Sequence, residues 1–174
     1  SGLAYSYTML GAMGQFPPLQ AYPKGKEMAE KALELDNGLA ESHIAIALLK
    51  LFYEWDLDAA KMSLDTAKKL NPGSARVYHF YALYFVARGK FKKGVESIEQ
   101  ALELDPLSLI INQHYAEGLT WVGELDQALA QLDRTLEMDP NFRAAIESKG
   151  WVYIEMGDYD NAIKCFQKFQ KLTG

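Results

Sequence analysis

Apolar side chains recur every three or four residues along most of the chain, as one face of an amphipathic helix requires. The segments Arg76–Arg88 and Phe91–Leu104 both show this spacing. Gly89 separates them and Pro106 follows the second, and these residues are typical of helix ends. The pattern therefore predicts a helical hairpin over residues 76–104.

The same pattern returns with a fixed period, because Pro72, Pro106 and Pro140 are 34 residues apart. Other positions keep this step: Leu57, Phe91, Leu125 and Tyr159; Ala60, Gly94, Ala128 and Ala162; and Leu64, Ile98, Leu132 and Phe166. Such self-similarity indicates a repeat protein, in which each unit buries its apolar face against its neighbours. We predict a single all-α array of about five helix–turn–helix repeats. Their approximate boundaries are residues 1–38, 39–74, 75–108, 109–142 and 143–174.

Two of the early units depart from this pattern. Trp55 stands where later units have glycine (Gly89, Gly123 and Gly157), so we expect its turn to close differently. In the first unit, about nine extra residues stand between Leu10 and Ala32, compared with the spacing from Arg88 to Ala101, and we interpret them as an insertion. The insertion contains Pro17, Pro18 and Pro23 and predicts a stiffened loop.

The repeated positions resemble those of the tetratricopeptide repeat (TPR), in which small and aromatic residues recur in a helix–turn–helix that ends in proline. The residues that match best are Gly150, Tyr153, Gly157, Tyr159, Ala162 and Phe166, with Asp105-Pro106 and Asp139-Pro140 as closing elements. The resemblance implies a right-handed α–α superhelix whose concave face is lined by the first helix of each pair. Asn112 departs from the pattern, since the family carries a large residue there, and we expect it to loosen that corner.

Other segments resemble the C-terminal repeat regions of bacterial multidomain regulators, which carry a winged-helix, cyclase or kinase domain before the array. These segments are Ala21-Tyr22-Pro23-Lys24, Ala29–Asp36, Phe52–Ala60 and Leu104–Asn112. That likeness implies a sensory, regulatory or dimerisation segment of a signalling protein. None of those output domains is present in this sequence.

The candidate partner-binding residues are those on the first helices that the core does not require. They are Arg76, His79, Leu83, Gln113, Glu117, Trp121, Glu147 and Trp151. In chaperone-binding members of the family, lysine and asparagine on this surface hold a C-terminal carboxylate. Here Glu117 and Glu147 would repel such a group, so we predict no binding of acidic C-terminal tails.

Trp121 and Trp151 allow two interpretations, and the sequence leaves both open. Tryptophan is enriched among interface hot spots, so either residue could anchor a partner. Large aromatic residues at helical spacing also commonly pack in the core.

Composition and motifs exclude several other classes of protein. Lys and Arg number 18 against 23 Asp and Glu, for a net charge of −5, and no basic cluster suggests nucleic-acid binding. No run is long and apolar enough to span a bilayer. His43, His79 and His114 lie on separate helices, far in sequence from Cys165, so they form neither a metal-binding motif nor a catalytic pair. We therefore expect that the protein is not an enzyme and that it binds no metal or cofactor.

The sequence thus predicts a protein–protein interaction module that binds a peptide, a helix or a partner domain. The regulatory segment described above is the main alternative, and an enzyme with a site between repeats is a third. We expect a cytoplasmic protein, because its single cysteine cannot form an internal disulfide. The last helix carries Ala162, Ile163, Phe166 and Phe169, which suggests that a second copy or further domains cover it.

Overall fold

The structure, a computed structural model, describes residues 2–12 and 14–173, so Ser1, Met13 and Gly174 lie outside it. Within those ranges all the regular secondary structure is helical, which confirms the predicted fold class. The α-helices are α1 Gly2–Ala12, α2 Pro18–Leu35, α3 Ala40–Leu49, α4 Leu57–Leu70, α5 Ala75–Ala87, α6 Phe91–Leu104, α7 Leu109–Trp121, α8 Leu125–Met138, α9 Arg143–Met156 and α10 Tyr159–Thr173. They form two compact units, Ser1–Gly89 and Lys90–Gly174.

In the first unit, α1 packs against α2 and α3, and α3, α4 and α5 then follow one another in contact. Its core includes Ile44, Leu48, Leu64 and Phe80, which are almost completely buried. They come from α3, α4 and α5, and Leu64 occupies one of the repeated apolar positions. Alanines such as Ala47 and Ala67 lie between them and allow the helices to approach closely.

The predicted proline-containing loop is wrong, because residues 18–35 form one helix with Pro23 inside it. Pro18 occupies its first turn, where proline costs no hydrogen bond. Pro23 cannot donate a hydrogen bond within the helix, yet α2 continues through it in contact with α1. A Cβ added to Gly25 would lie 2.8 Å from Thr8 Oγ1, and one added to Gly11 would lie 2.9 Å from Ala21 Cβ. The extra residues of the first unit therefore lengthen a helix.

The turn before α4 closes differently from the later turns, as predicted. The helix continues as a π-helical turn over Lys50–Glu54 and ends at Trp55, which has φ 54°. Non-glycine residues rarely adopt this left-handed conformation. Asp56 then caps α4 by accepting a hydrogen bond from the backbone N–H of Ala59. The indole of Trp55 is 72% exposed, so its packing does not explain the strained backbone.

In the second unit, each helix from α6 to α10 packs against the next, and α7 also contacts α9. Leu132, Ala128, Ala116 and Val152 are buried at its centre. The turns after α7 and α9 contain Gly123 at φ 87° and Gly157 at φ 78°, where a side chain would be strained. These are the two later glycine positions of the repeat.

The last helix shows less apolar surface than the sequence suggested. Ala162 is 3% exposed and packs within the α9–α10 pair, so it does not belong to an open face. Phe166 is half-buried, with its ring against Gly150. Ile163 is 53% exposed, and Tyr159 and Leu172 are also exposed on α10. In the part of the chain that the structure describes, no helix is long and apolar enough to cross a membrane.

Candidate partner-binding site

Helices α7 and α9 bring together the candidate residues of the second unit. Gln113, Glu117 and Trp121 follow one another at steps of four on α7 and so share one face. Glu147 and Trp151 have the same relation on α9. The contact between α7 and α9 places these two faces side by side.

Gln113, Glu117 and Ser148 form a polar cluster between the two helices, which we call the pocket cluster. The Gln113 side-chain amide donates to Glu117 Oε1 and, over 2.9 Å, to Ser148 Oγ. The Ser148 hydroxyl in turn donates to Glu117 Oε1 over 3.1 Å. Gln113 is 3% exposed, and its Oε1 is buried with no hydrogen-bond partner among the described residues. Gln113 therefore acts on a ligand only through its neighbours.

The carboxylate of Glu117 is held in an unfavourable environment. Burial raises its pKa, and the hydrogen bonds from Ser148 and Gln113 offset part of this rise. The negative charge of Glu147 raises the pKa further. Glu117 is thus a partly desolvated acid whose charge is incompletely compensated by the protein.

A small pocket opens beside this carboxylate, with a volume of about 140 Å³. It is lined by Glu117, Thr120, Trp121, Ser148 and Trp151. The Thr120 hydroxyl donates to the Ala116 carbonyl over 2.9 Å, so its oxygen can still accept a hydrogen bond. We call this site the tryptophan pocket.

Both tryptophans of the pocket are partly packed and partly open. Trp121 is 47% exposed, and its ring centroid lies 6.0 Å from that of Phe91. Trp151 is 55% exposed and meets Phe166 edge-on at 5.4 Å. Each ring therefore rests on a neighbouring helix with one part while another part faces the pocket.

The candidates of the first unit are used largely within that unit. The guanidinium of Arg76 lies 4.7 Å from the centroid of the Tyr5 ring. His79 is 8% exposed, with its ring stacked on Phe80, and Leu83 packs against the core. Arg76 is the most exposed of the three, so little of His79 or Leu83 is available to a ligand.

Asn112 lies at the centre of a second polar cluster, which we call the corner cluster. Its amide nitrogen donates to the carbonyls of Pro106 and Ser108, both over 2.9 Å, and its oxygen accepts from Gln131. Hydrogen bonds thus replace the apolar contact that the repeat pattern has at this position. A cavity of about 460 Å³ lies beside the cluster, lined by residues that include Leu102, Pro106 and Met138.

The pocket cluster contains one residue that sequence reasoning missed. Ser148 occupies the repeat position of Phe80 and His114, which have rings. Because the residue type at this position changes from one unit to the next, the repeat pattern did not indicate a role for Ser148. Only the structure shows that a hydroxyl there reaches Glu117.

Nothing in the described residues offers a metal or redox site. Residues 2–12 and 14–173 contain no group of three or more His, Cys, Asp or Glu placed to hold a metal ion. Burial raises the pKa of the Cys165 thiol, which Lys149 and Lys168 only partly counteract. Cys165 is therefore held in its thiol form at neutral pH, where it is a weak nucleophile.

Comparison with known proteins supports the repeat family and the fold. The family model for the tetratricopeptide repeat matches residues 75–106 and 144–173. No curated protein matches the sequence. The likeness to bacterial regulators that the sequence suggested stays a prediction.

Three solved structures share the fold at low sequence identity. PilW, described as a widely conserved type IV pilus biogenesis factor, is 22% identical with a TM-score of 0.79, over 99% of this chain and 79% of its own. MamA is 19% identical with a TM-score of 0.68, over 88% and 89% of the two chains. YrrB, a TPR protein with an unusual peptide-binding site, is 20% identical with a TM-score of 0.65, over 97% and 86%. These similarities establish the helical-repeat architecture.

Proposed function

We propose that this protein is an interaction module that binds a peptide or helix of a partner protein across α7 and α9. Trp121, Trp151 and Glu117 form the centre of the binding surface. Gln113 and Ser148 hold Glu117 in place, and Glu147 adds negative charge beside it. Arg76, His79 and Leu83 stay predicted partner contacts of the first unit.

One observation carries this proposal: two half-exposed tryptophans line the same small pocket on adjacent first helices. An indole that is already ordered by its neighbours loses little entropy when it contacts a partner. Tryptophans in such positions are frequent hot spots of protein interfaces. The peptide-binding site of YrrB, which has the same fold, gives the proposal further support.

Selection from a phage-displayed library of random peptides tests the proposal with the full chain. We expect the chain to enrich peptides whose binding falls at least tenfold, or about 1.4 kcal/mol, in the Trp121→Ala/Trp151→Ala double variant. Trp55→Ala is the matched control, since it also removes an exposed tryptophan but lies in the first unit. That variant should retain all the selected peptides.

Circular dichroism distinguishes loss of a contact from loss of the fold. The double variant should keep its helicity and a cooperative melting transition, because about half of each indole already faces solvent. A collapsed transition would instead assign both tryptophans to the core. Unchanged peptide binding by the folded double variant would contradict the proposal.

A further inference from the structure

The tryptophan pocket contains a single formal charge, and it is negative. Of its five lining residues only Glu117 is ionisable at neutral pH, and the carboxylate of Glu147 lies close enough to affect it. Lys149 follows Ser148 on α9, but its ammonium group pairs with Asp133 and lies 5.7 Å from the Tyr153 ring centroid. The positive charge nearest in sequence is therefore engaged away from the pocket.

Glu117 keeps an unused hydrogen-bonding capacity. Among the described residues, the hydrogen bonds from Gln113 and Ser148 both end on Oε1. Oε2 is thus left to accept a hydrogen bond from a ligand. A carboxylate that is partly removed from water gains more from a cation than a fully solvated one does.

The two indoles favour the same kind of ligand. The face of a tryptophan ring attracts an ammonium or guanidinium group within about 6 Å, and tryptophan does so better than other side chains. At about 140 Å³ the pocket is well below the roughly 300–1,000 Å³ of small-molecule sites. Its size suits the end of one long side chain.

We infer that the tryptophan pocket receives a lysine or arginine side chain of the partner, whose cationic group binds Glu117 and packs against Trp121 and Trp151. This inference rests on the proposed function and specifies the chemistry of the partner. It also agrees with the absence of a site for acidic C-terminal tails that the sequence predicts.

NMR titration of the three indole N–H signals of the full chain tests the inference directly. The probes are the N-acetyl N-methylamides of arginine and lysine, with the citrulline derivative as a neutral analogue of nearly the same shape. We expect the cationic probes to shift the signals of Trp121 and Trp151 and to leave that of Trp55 in place. Citrulline should produce no comparable shift.

Two charge variants locate the effect. Glu117→Gln should weaken the arginine response about tenfold, while its amide oxygen can still accept from Gln113 and Ser148. Glu103→Gln removes the same charge from an exposed position near the C-terminal end of α6, outside the pocket, and should leave the response unchanged. The inference is overturned if citrulline acts like arginine, if the arginine and lysine derivatives shift neither indole, or if both variants weaken the response equally.

The peptide selection separates this inference from the proposed function. Peptides that depend on both tryptophans, contain a basic residue and lose affinity in Glu117→Gln would support both. Peptides that depend on the tryptophans, carry no basic residue and bind Glu117→Gln with unchanged affinity would overturn the cation inference alone. A library that yields no tryptophan-dependent peptide would overturn the proposed function.

Discussion

The second unit contains two buried polar clusters that differ in chemistry, although they include adjacent residues of α7, Asn112 and Gln113. The corner cluster, centred on Asn112, consists of neutral amides that bond to one another and to backbone carbonyls. The pocket cluster, centred on Glu117, contains a carboxylate and leaves Gln113 Oε1 without a partner among the described residues. One cluster is closed on itself and the other is incomplete.

This difference suggests different roles. A buried network whose groups satisfy one another fixes a unique packing arrangement, whereas a partly satisfied one carries an energetic cost. The corner cluster can therefore be understood as a structural element that stands in for an apolar contact. In the pocket cluster, the partly desolvated charge of Glu117 has a cost that a bound cation would relieve, which fits a binding role.

Breaking the corner cluster should produce the largest loss of stability. Gln131→Leu removes the donor to Asn112 Oδ1 and leaves that acceptor buried, since Asn112 is only 4% exposed. We expect a loss of about 1–3 kcal/mol in the free energy of unfolding, measured by urea denaturation. Peptide binding should not change.

The double variant Asn112→Ile/Gln131→Leu is the control for this experiment. It removes both partners and restores the residue type that stands at Ile44 and Ile146 in other repeats. Replacing both partners with apolar groups can be nearly neutral, so much of the lost stability should return. A double variant that is less stable than the single one would contradict this expectation. It would show that the hydrogen bonds from the Asn112 side chain to the carbonyls of Pro106 and Ser108 stabilise the fold more than its bond with Gln131 does.

The pocket cluster should make the stability of the fold depend on pH. Because the pKa of Glu117 is raised above 4.5, the folded state binds its proton more tightly than the unfolded chain does. Its contribution therefore destabilises the fold progressively as pH rises through 4.5 towards the raised pKa, and it disappears below 4.5. Glu117→Gln lacks this contribution, so we expect it to gain stability relative to the parent chain across that interval.

The measurement is the difference in melting temperature between the two chains from about pH 4 to about pH 7. Taking the difference cancels the contributions of other carboxylates to the pH dependence of stability. Asp65 is one example, because its pKa is lowered and its contribution has the opposite sign. A gap that widens as pH rises would agree with the desolvated carboxylate. A constant gap would mean that Glu117 is solvated in the folded protein.

The sequence predicted the regular parts of this molecule well, because they depend on periodic burial. The bounds of α6 agree with the predicted helix, and Gly89, Gly123 and Gly157 all have positive φ. The proline loop was wrong because local propensity was overridden by the packing of Gly25 against α1.

The candidate site was predictable only in part. Steps of four residues placed Glu117 and Trp121 on one face, since that relation lies within a single helix. The role of Ser148 depends on the contact between α7 and α9 and on a hydroxyl that occurs once in its repeat position. Local periodicity carries no information on such a contact.

The smallest effect should come from removing the Thr135 hydroxyl beside the corner cluster, and removal of the Ser148 hydroxyl of the pocket cluster is its comparison. Thr135 lies beside the corner cluster and donates to the backbone carbonyl of Gln131 within α8, so Thr135→Val removes a hydrogen bond to a helical carbonyl and keeps the shape. We expect a loss of about 0.5 kcal/mol. Ser148→Ala instead removes a donor to the Glu117 carboxylate, so it should cost more and should raise the pKa of Glu117 further. Urea denaturation should therefore rank the stability of Ser148→Ala below that of Thr135→Val. In the opposite order, the Thr135 hydroxyl would stabilise the fold more than the Ser148 hydroxyl does. That result would contradict the proposed difference between the two clusters.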